Sequence, residues 1–234
     1  MPVDNLYKEA MDQFAKGVNL FVPHAVWYDP QQITFPPELS YRNSTYGPEL
    51  PAYNRYMGRL QRVLGAGWQV ADIGVLYPIA TLQAGYRFGV GEPYQGGIIP
   101  PEADYLDVGE RLMLDLRHDF TFVHPEVLDA RCTVEHATIL TRPELSQSYR
   151  VFLLPGSTTI ALSNLQKLKE FYDRGGRVIA TTRLPARSAE FGRDAQVRQL
   201  VREMFGPADA AAEAGFRKQT SAGGGHAWFA PAPS

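Results

Sequence analysis

The apolar positions of this chain follow helical spacing in some stretches and form short uninterrupted runs in others. Helical spacing followed by two glycines predicts a helix at Leu162, Leu165, Leu168 and Phe171 that ends at Gly175 and Gly176. Further helices are predicted over 105–117 and 194–205. Apolar runs predict strands over 70–78, 120–123, 137–140, 149–155, 177–182 and 226–230. This alternation predicts an α/β fold with an open, mostly parallel sheet and helices on both sides.

The first part of the chain has a different pattern. A helix is predicted over 4–16, capped by Asp4, with one apolar side formed by Leu6, Met11, Phe14 and Ala15. A strand covered on both faces is predicted at Val18, Leu20, Phe21 and Val22. A long loop over 24–50 then leads to a helix over 52–64, and connections this long in compact domains are usually functional. The change of pattern near Trp68 predicts two domains, 1–67 and 68–234.

Composition and charge exclude several classes of function. Of the 234 residues 44% are hydrophobic and 21% charged, which is typical of a globular protein, and the net charge is only -2. We therefore expect neither a nucleic-acid partner nor a membrane partner. The single cysteine, Cys132, excludes an internal disulfide and a CxxC motif, and we expect it to be a small buried hydrophobe.

The sequence favours one cellular compartment but leaves alternatives for a longer parent protein. The chain has neither a signal peptide nor a transmembrane segment, which as written favours the cytoplasm. A longer parent protein could be secreted or periplasmic.

Three ring-bearing side chains follow the predicted strand at 18–22. His24, Trp27 and Tyr28 lie at its carboxyl end, where barrels and open sheets place their sites. Aromatic faces cover sugar C–H surfaces, and imidazole and phenol groups hydrogen-bond sugar hydroxyls, so one interpretation is a carbohydrate-binding site. The other interpretation is that Trp27 and Tyr28 pack a loop and that His24 is a structural histidine.

No catalytic group can be assigned from the residues. Asp29, Glu38 and Glu49 lie on the long loop, but no spacing pairs two of them as the acid and base of a glycosidase. The turn "LLPGSTT" at 153–159 matches neither GxSxG nor a P-loop, so we expect Ser157, Thr158 or Thr159 to cap the next helix.

The histidines do not indicate a metal site or a cofactor. His118, His124 and His136 are scattered and match no zinc-binding spacing. We expect "DFTFVHPEVLD" to be a strand that runs into a turn at Pro125.

Several stretches together resemble the α-L-rhamnosidase-like glycoside hydrolases of the family 106 type, over about Asn5 to Pro231. The resemblance rests on their order and spacing: "KGVNLFVPHAVWYDP", "YNRYMGRLQRVLGAGWQVADIGVLYP", "DYLDVGE", "DFTFVHPEVLDARC", "YRVFLLPGSTTI", "GGRVIATTRLPARSAEFGRD" and "VRQLVREMFG".

The resemblance implies a fold for each part. Residues 1–67 would be the last helix, strand and helix of a (β/α)8 barrel, and 68–234 a three-layer flavodoxin-like domain of the class I glutamine amidotransferase type. In such enzymes His24, Trp27 and Tyr28 would line the sugar cleft, while the catalytic glutamates lie on earlier barrel strands. No catalytic residue and no calcium ligand can be carried over to this chain.

Three functions follow as expectations. The first is a portion of an enzyme that hydrolyses O-glycosidic bonds, inactive alone, with a carbohydrate substrate and the remaining barrel portion as partners. The second is a non-catalytic carbohydrate-binding or assembly module. The third is an independent enzyme at the switch point of the sheet, near Gly156.

Overall fold

The computed structural model describes residues 3–67, 69–87, 99–141, 147–207 and 215–231. The chain divides into two compact units, residues 1–68 and 69–234. In the described residues no helix is long and apolar enough to cross a membrane.

The first unit contains two helices, α1 (Val3–Ala15) and α2 (Leu50–Leu64). Its buried core consists of Leu6, Ala10, Phe14, Tyr46, Tyr53 and Met57. The helix spacing was therefore predicted correctly at Leu6 and Phe14, but Met11 and Ala15 are exposed. The helix begins at Val3, so Asp4 lies in its first turn and does not cap it.

The strand predicted at Val18–Val22 is wrong for this chain, because those residues form no ladder with any described residue. The prediction that both faces are covered is also wrong. Phe21 packs on the core of the first unit, with its ring centroid 4.7 Å from that of Phe14. Its neighbours Leu20 and Val22 are 71% and 86% exposed. The segment thus has one covered side and one uncovered apolar side.

The second unit is built on a six-stranded sheet. Its strands are β1 (Ile73–Leu76), β2 (Phe120–Val123), β6 (Val151–Leu154), β8 (Arg177–Thr181), β10 (Arg217–Thr220) and β11 (His226–Ala230). The spatial order is β10-β11-β8-β6-β1-β2, and all neighbouring pairs are parallel except β10 with β11. Without the antiparallel edge strand β10, the parallel strands follow the flavodoxin-like order 2-1-3-4-5. The predicted α/β fold with a mostly parallel sheet is confirmed.

Helices cover both faces of this sheet. On one face Phe152 and Leu154 of β6 belong to the main core, which includes residues of α6 (Leu162–Asp173) and α7 (Asp194–Phe205). On the other face Leu153 packs with Val108 of α4 (Tyr105–Glu110). Side chains alternate across a strand, so consecutive residues of β6 enter different layers.

Several elements were not predicted. The helix α3 (Ile79–Gly85), which follows β1, is one of them, whereas the helix predicted over 105–117 is present as α4 and a π-helical turn over Arg111–Asp115. The turn expected after His124 is wrong, because α5 (Pro125–Arg131) begins there. Proline suits a first helical turn, since its missing N–H would have no helical partner. The glycine-rich stretch expected over 85–101 and the connection over 207–215 lie largely outside the described residues.

Five short strands form two small sheets beside the main one. An antiparallel sheet contains β3 (Cys132–Glu135), β4 (Thr138–Thr141) and β5 (Ser148–Tyr149). A parallel pair joins β7 (Thr159–Ile160) to β9 (Arg187–Ser188). The β7–β9 pair anchors the chain just after the carboxyl end of β6.

Candidate functional site

Two of the three predicted sugar-binding side chains lie together in the first unit. The ring centroids of His24 and Trp27 are 5.2 Å apart with an edge-to-face geometry, and Phe35 lies 6.1 Å from His24 and 5.9 Å from Trp27. Tyr28 is fully exposed, at 104% of its reference area. The Nε1 of Trp27 is buried and has no hydrogen-bond acceptor among the described residues. The aromatic cluster of His24, Trp27 and Phe35 therefore holds one unused donor.

An ion pair between the buried Glu38 and the partly exposed Arg42 fixes the backbone of this cluster. The carboxylate of Glu38, 3% exposed, accepts a hydrogen bond from the backbone N–H of Trp27 at 3.1 Å and another from Arg42 Nη2. The same Arg42 nitrogen donates to the carbonyl oxygen of Trp27 at 2.5 Å. The hydrogen bond from Arg42 lowers the pKa of Glu38, which keeps it ionised. Glu38 is therefore a structural acceptor and is unsuited to the role of a general acid.

The other two loop carboxylates lie outside this network. Asp29 is exposed and accepts from the backbone N–H of Gln31 at 2.8 Å, as in an Asx turn. Glu49 is exposed just before α2 and makes no side-chain cap there. The structure thus brings together no pair of carboxyl groups from Asp29, Glu38 and Glu49, as the sequence indicated.

In the second unit three loops meet at one buried carboxylate. Asp104 accepts a hydrogen bond from the backbone N–H of Gly156 at 2.7 Å and another from the Thr182 hydroxyl at 2.6 Å. Thr182 has a φ of 52°, a region that β-branched residues rarely adopt. A Cβ on Gly156 would lie 2.0 Å from the carbonyl oxygen of Glu102. Asp104 therefore holds the turns after β6 and β8 in a close backbone packing.

The turn at 153–159 uses its polar groups internally. The Ser157 hydroxyl donates to the carbonyl oxygen of Pro155 at 2.6 Å, so it is not poised as a nucleophile. The hydroxyl of Thr81, fully buried in α3, accepts from the N–H groups of Thr158 and Thr159 at 3.1 Å each. It donates to the carbonyl oxygen of Thr159 at 2.9 Å.

The capping predicted for Ser157, Thr158 or Thr159 is wrong. The helix α6 begins after Ala161, and the carboxylate of Glu190 accepts from the N–H of Leu162 at 2.9 and 3.2 Å. Burial raises the pKa of Glu190, but hydrogen bonds from Ser188 and Leu162 outweigh it and lower the pKa overall. An ionised carboxylate at this end suits the helix dipole.

A pocket of about 210 Å³ opens at the carboxyl ends of β1, β2 and β6. Tyr77, His124, Ser157 and Asn164 lie on its walls. Asn164 is fully buried, and its Oδ1 has no hydrogen-bond donor among the described residues. A buried acceptor left in that state costs about 1–3 kcal/mol.

The histidines and the cysteine have structural positions. His124 caps α5, because its Nδ1 accepts from the N–H of Glu126 at 3.3 Å. His136 has a φ of 50° in the turn between β3 and β4, and His118 is exposed. In the described part of the chain no group of three side chains could hold a metal ion. Cys132 is buried as predicted, and burial raises its thiol pKa.

Comparisons with known proteins give structural matches only. The sequence matches no protein-family model, and no curated protein is significantly similar to it. A rhamnosidase from Novosphingobium sp. PP1Y is 15% identical over 80% of this chain and 15% of its own, with a TM-score of 0.47. Gan42B, a GH42 β-galactosidase from G. stearothermophilus, is 14% identical over 80% of this chain and 31% of its own, with a TM-score of 0.49. A catalytic mutant of Gan42B is 13% identical with the same coverage and TM-score.

The chain thus spans less than a third of the length of these glycosidases. At this identity they are structural neighbours of an α/β region, and they assign neither a family nor an activity to this chain.

Sequence reasoning missed several residues that organise these sites. Arg42 follows Glu38 by four positions, which was a usable signal for an ion pair. Asp104, Thr81 and Asn164 gave no such signal, because most of their hydrogen-bond partners lie between 35 and 78 residues away along the chain.

Proposed function

We propose that this chain is a portion of a glycoside hydrolase that resembles the α-L-rhamnosidases. In this proposal the first unit supplies the last helix, strand and helix of a (β/α)8 barrel, and the second unit is a non-catalytic α/β domain. The carbohydrate substrate binds at a cleft that other barrel strands complete. The motif order described above supports the family, and the geometry of residues 18–28 supports the role of the first unit.

The observation that carries the proposal is the uncovered side of the 18–22 segment. Phe21 packs on the helices of its own unit, while Leu20 and Val22 are exposed. A barrel strand has this arrangement, with one side against the outer helices and the other toward the barrel interior. The Val18 N–H donates to the carbonyl oxygen of Gln13 at 3.0 Å, but the backbone groups of residues 19–22 make no hydrogen bond within the described residues, as an edge that lacks its neighbouring strands would.

The aromatic cluster gives the proposed substrate contacts. His24 and Trp27 follow this segment directly, so they would lie at the carboxyl-terminal mouth of the barrel, where barrel enzymes bind substrates. The unused Nε1–H of Trp27 can donate to a sugar hydroxyl, and Tyr28 is exposed on the same loop. Glu38 is committed to Arg42, so the acid and the nucleophile or base would come from other barrel strands.

The test is hydrolysis of a nitrophenyl α-L-rhamnoside. The purified chain should release no nitrophenol above the buffer rate, whereas an assembly with the polypeptide that completes the barrel should hydrolyse the substrate. In that assembly His24→Ala should lower kcat/KM, and Tyr41→Phe, at an exposed ring outside the cluster, should not. Turnover by the isolated chain that persists on repurification would contradict the proposal.

A carbohydrate-binding or assembly module is the second candidate, favoured by the unused donor on Trp27 and the exposed ring of Tyr28. Calorimetry with oligosaccharides separates the two. Tight binding by the isolated chain, lost in Trp27→Phe, would support an independent binding module. Absence of heat would support a role that needs the other barrel strands.

A further inference from the structure

The α/β unit has a pocket at the carboxyl ends of β1, β2 and β6 that no part of the proposed function uses. The strand order reverses direction between β1 and β6, and open α/β sheets bind ligands at such switch points. The pocket of about 210 Å³ is smaller than the range of about 300–1,000 Å³ that holds drug-sized ligands. Its occupant must therefore be compact.

Asn164 indicates that the inner wall requires a hydrogen-bond donor. Its Nδ2 donates to the carbonyl oxygen of Pro125 at 3.0 Å and to Asp129 Oδ1 at 2.6 Å, which fixes the orientation of the amide. The Oδ1 of this fully buried residue is then left without a hydrogen-bond donor among the described residues. Buried acceptors are nearly always satisfied in folded proteins, so a bound molecule with a hydroxyl would supply the missing donor.

His124 and Glu126 add a donor and an acceptor at the same pocket. The Nδ1 of His124 accepts from the N–H of Glu126, so the neutral ring carries its proton on Nε2 and can donate from there. Both kinds of group are thus present, as recognition of a hydroxyl requires. Leu76 and Ile160 add apolar wall area that suits C–H surfaces.

The charges around the pocket disfavour an anion. The N–H of Leu162, where α6 begins, already binds the carboxylate of Glu190, so the positive end of this helix is occupied. Glu126 adds another carboxylate to the wall. A phosphate group in the pocket would therefore meet the carboxylate of Glu126 and little positive potential.

We propose that this pocket binds a compact, neutral, polyhydroxylated molecule of the size of a monosaccharide, with one hydroxyl donating to Asn164 Oδ1. The site lies in the second unit and does not depend on the function proposed for the first. It requires no catalytic group.

The experiment is an NMR titration of the nitrogen-15-labelled chain with L-rhamnose and D-galactose, with inorganic phosphate and choline as charged probes. At least one sugar should give saturable shifts of the Asn164 side-chain amide and of the Ser157 backbone amide. The affinity should be weak, in the millimolar range, because a ligand of about a dozen heavy atoms has little contact surface. Neither phosphate nor choline should give saturable shifts at these groups.

A pocket-filling variant and a matched control localise the effect. Ala189 is exposed and lines the pocket, so Ala189→Trp should weaken binding at least about tenfold without removing core packing. Ala186→Trp places the same side chain at an exposed position three residues away that does not line the pocket, and should leave binding unchanged.

Three results would overturn the proposal. Absence of sugar-dependent shifts at Asn164 in the folded chain would refute it, as would equal weakening by both tryptophan variants. Saturable phosphate or choline binding would refute the neutral polyol as the occupant. Shifts confined to the Trp27 indole would support the aromatic cluster of the first unit and contradict this pocket.

Discussion

Gly156 lies at the junction of the loops held by Asp104, and replacing it with alanine tests how tightly that junction is packed. A Cβ at this position would be 2.0 Å from the Glu102 carbonyl oxygen, 3.0 Å from Thr182 Cβ and 3.2 Å from Asp104 Oδ1. The first neighbour is backbone, which cannot rotate away as a side chain can. Real Cβ contacts are essentially never shorter than 3.0 Å, so the two loops must separate by at least 1.0 Å, the difference between 3.0 and 2.0 Å.

The free-energy cost has two parts. Forcing extra volume into a packed site costs about 1–3 kcal/mol. The separation also lengthens the hydrogen bond from Gly156 N–H to the carboxylate of Asp104, now 2.7 Å, and a bond to a charged group contributes about 1.5–3 kcal/mol. Partial loss of the second term gives a total of about 2–5 kcal/mol, which lowers Tm by about 5–20 °C in a unit of this size.

The assay is thermal unfolding of Gly156→Ala monitored by circular dichroism. A second glycine-to-alanine variant serves as the control. Gly215 has nothing within 4 Å of a built Cβ, so Gly215→Ala should change the free energy of unfolding by no more than about 0.5 kcal/mol. A Tm for Gly156→Ala within about 2 °C of the parent would refute the reasoning, because the junction would then accommodate a methyl group without separating the loops.

Three further predictions concern other parts of the chain. The folded pKa of Glu38 lies below its ordinary 4.5, so this group stabilises the fold above that pH, and its contribution is lost as pH falls through the lowered pKa. Carbon-13 NMR titration should therefore place the titration midpoint of Glu38 below pH 4.5 in the parent chain. The midpoint should be higher in Arg42→Met, and the same midpoint in both chains would contradict the ion pair. Thr81→Val leaves the N–H and carbonyl groups of Thr159 without their buried partner, and should cost about 1–3 kcal/mol in denaturant unfolding. Leu165→Ala, at a fully buried position, should cost about 2–5 kcal/mol, and a value below about 1 kcal/mol would mean that α6 is not packed as described.

The α/β unit was largely predictable because its pattern is local and strong. The predicted bounds of β2, β11 and α7 agree with the structure, since apolar runs or helical spacing end there at clear polar or glycine signals. The seven residues of α3 are too few to show a periodic pattern.

The segment at 18–22 was mispredicted for a different reason. Its apolar run fits a strand, but a strand needs neighbours for its ladder, and the described residues provide none. The same limit applies to the candidate sites. His24 and Trp27 could be found from their position after an apolar run, whereas Asn164 becomes informative only when the partners of its amide are known.

The central proposal is that residues 18–22, which form no ladder with the described residues, become a barrel strand once neighbouring strands of other polypeptide pair with them. Backbone amide hydrogen exchange over Asn19–Val22 tests it most directly. The account predicts exchange close to the unprotected rate in the isolated chain, while the amides of β8 are strongly protected, and slower exchange of Asn19–Val22 once the completing barrel polypeptide is bound. Protection of Asn19–Val22 comparable to that of β8 in the isolated chain would contradict the account, because those amides would already have partners and no open edge would remain.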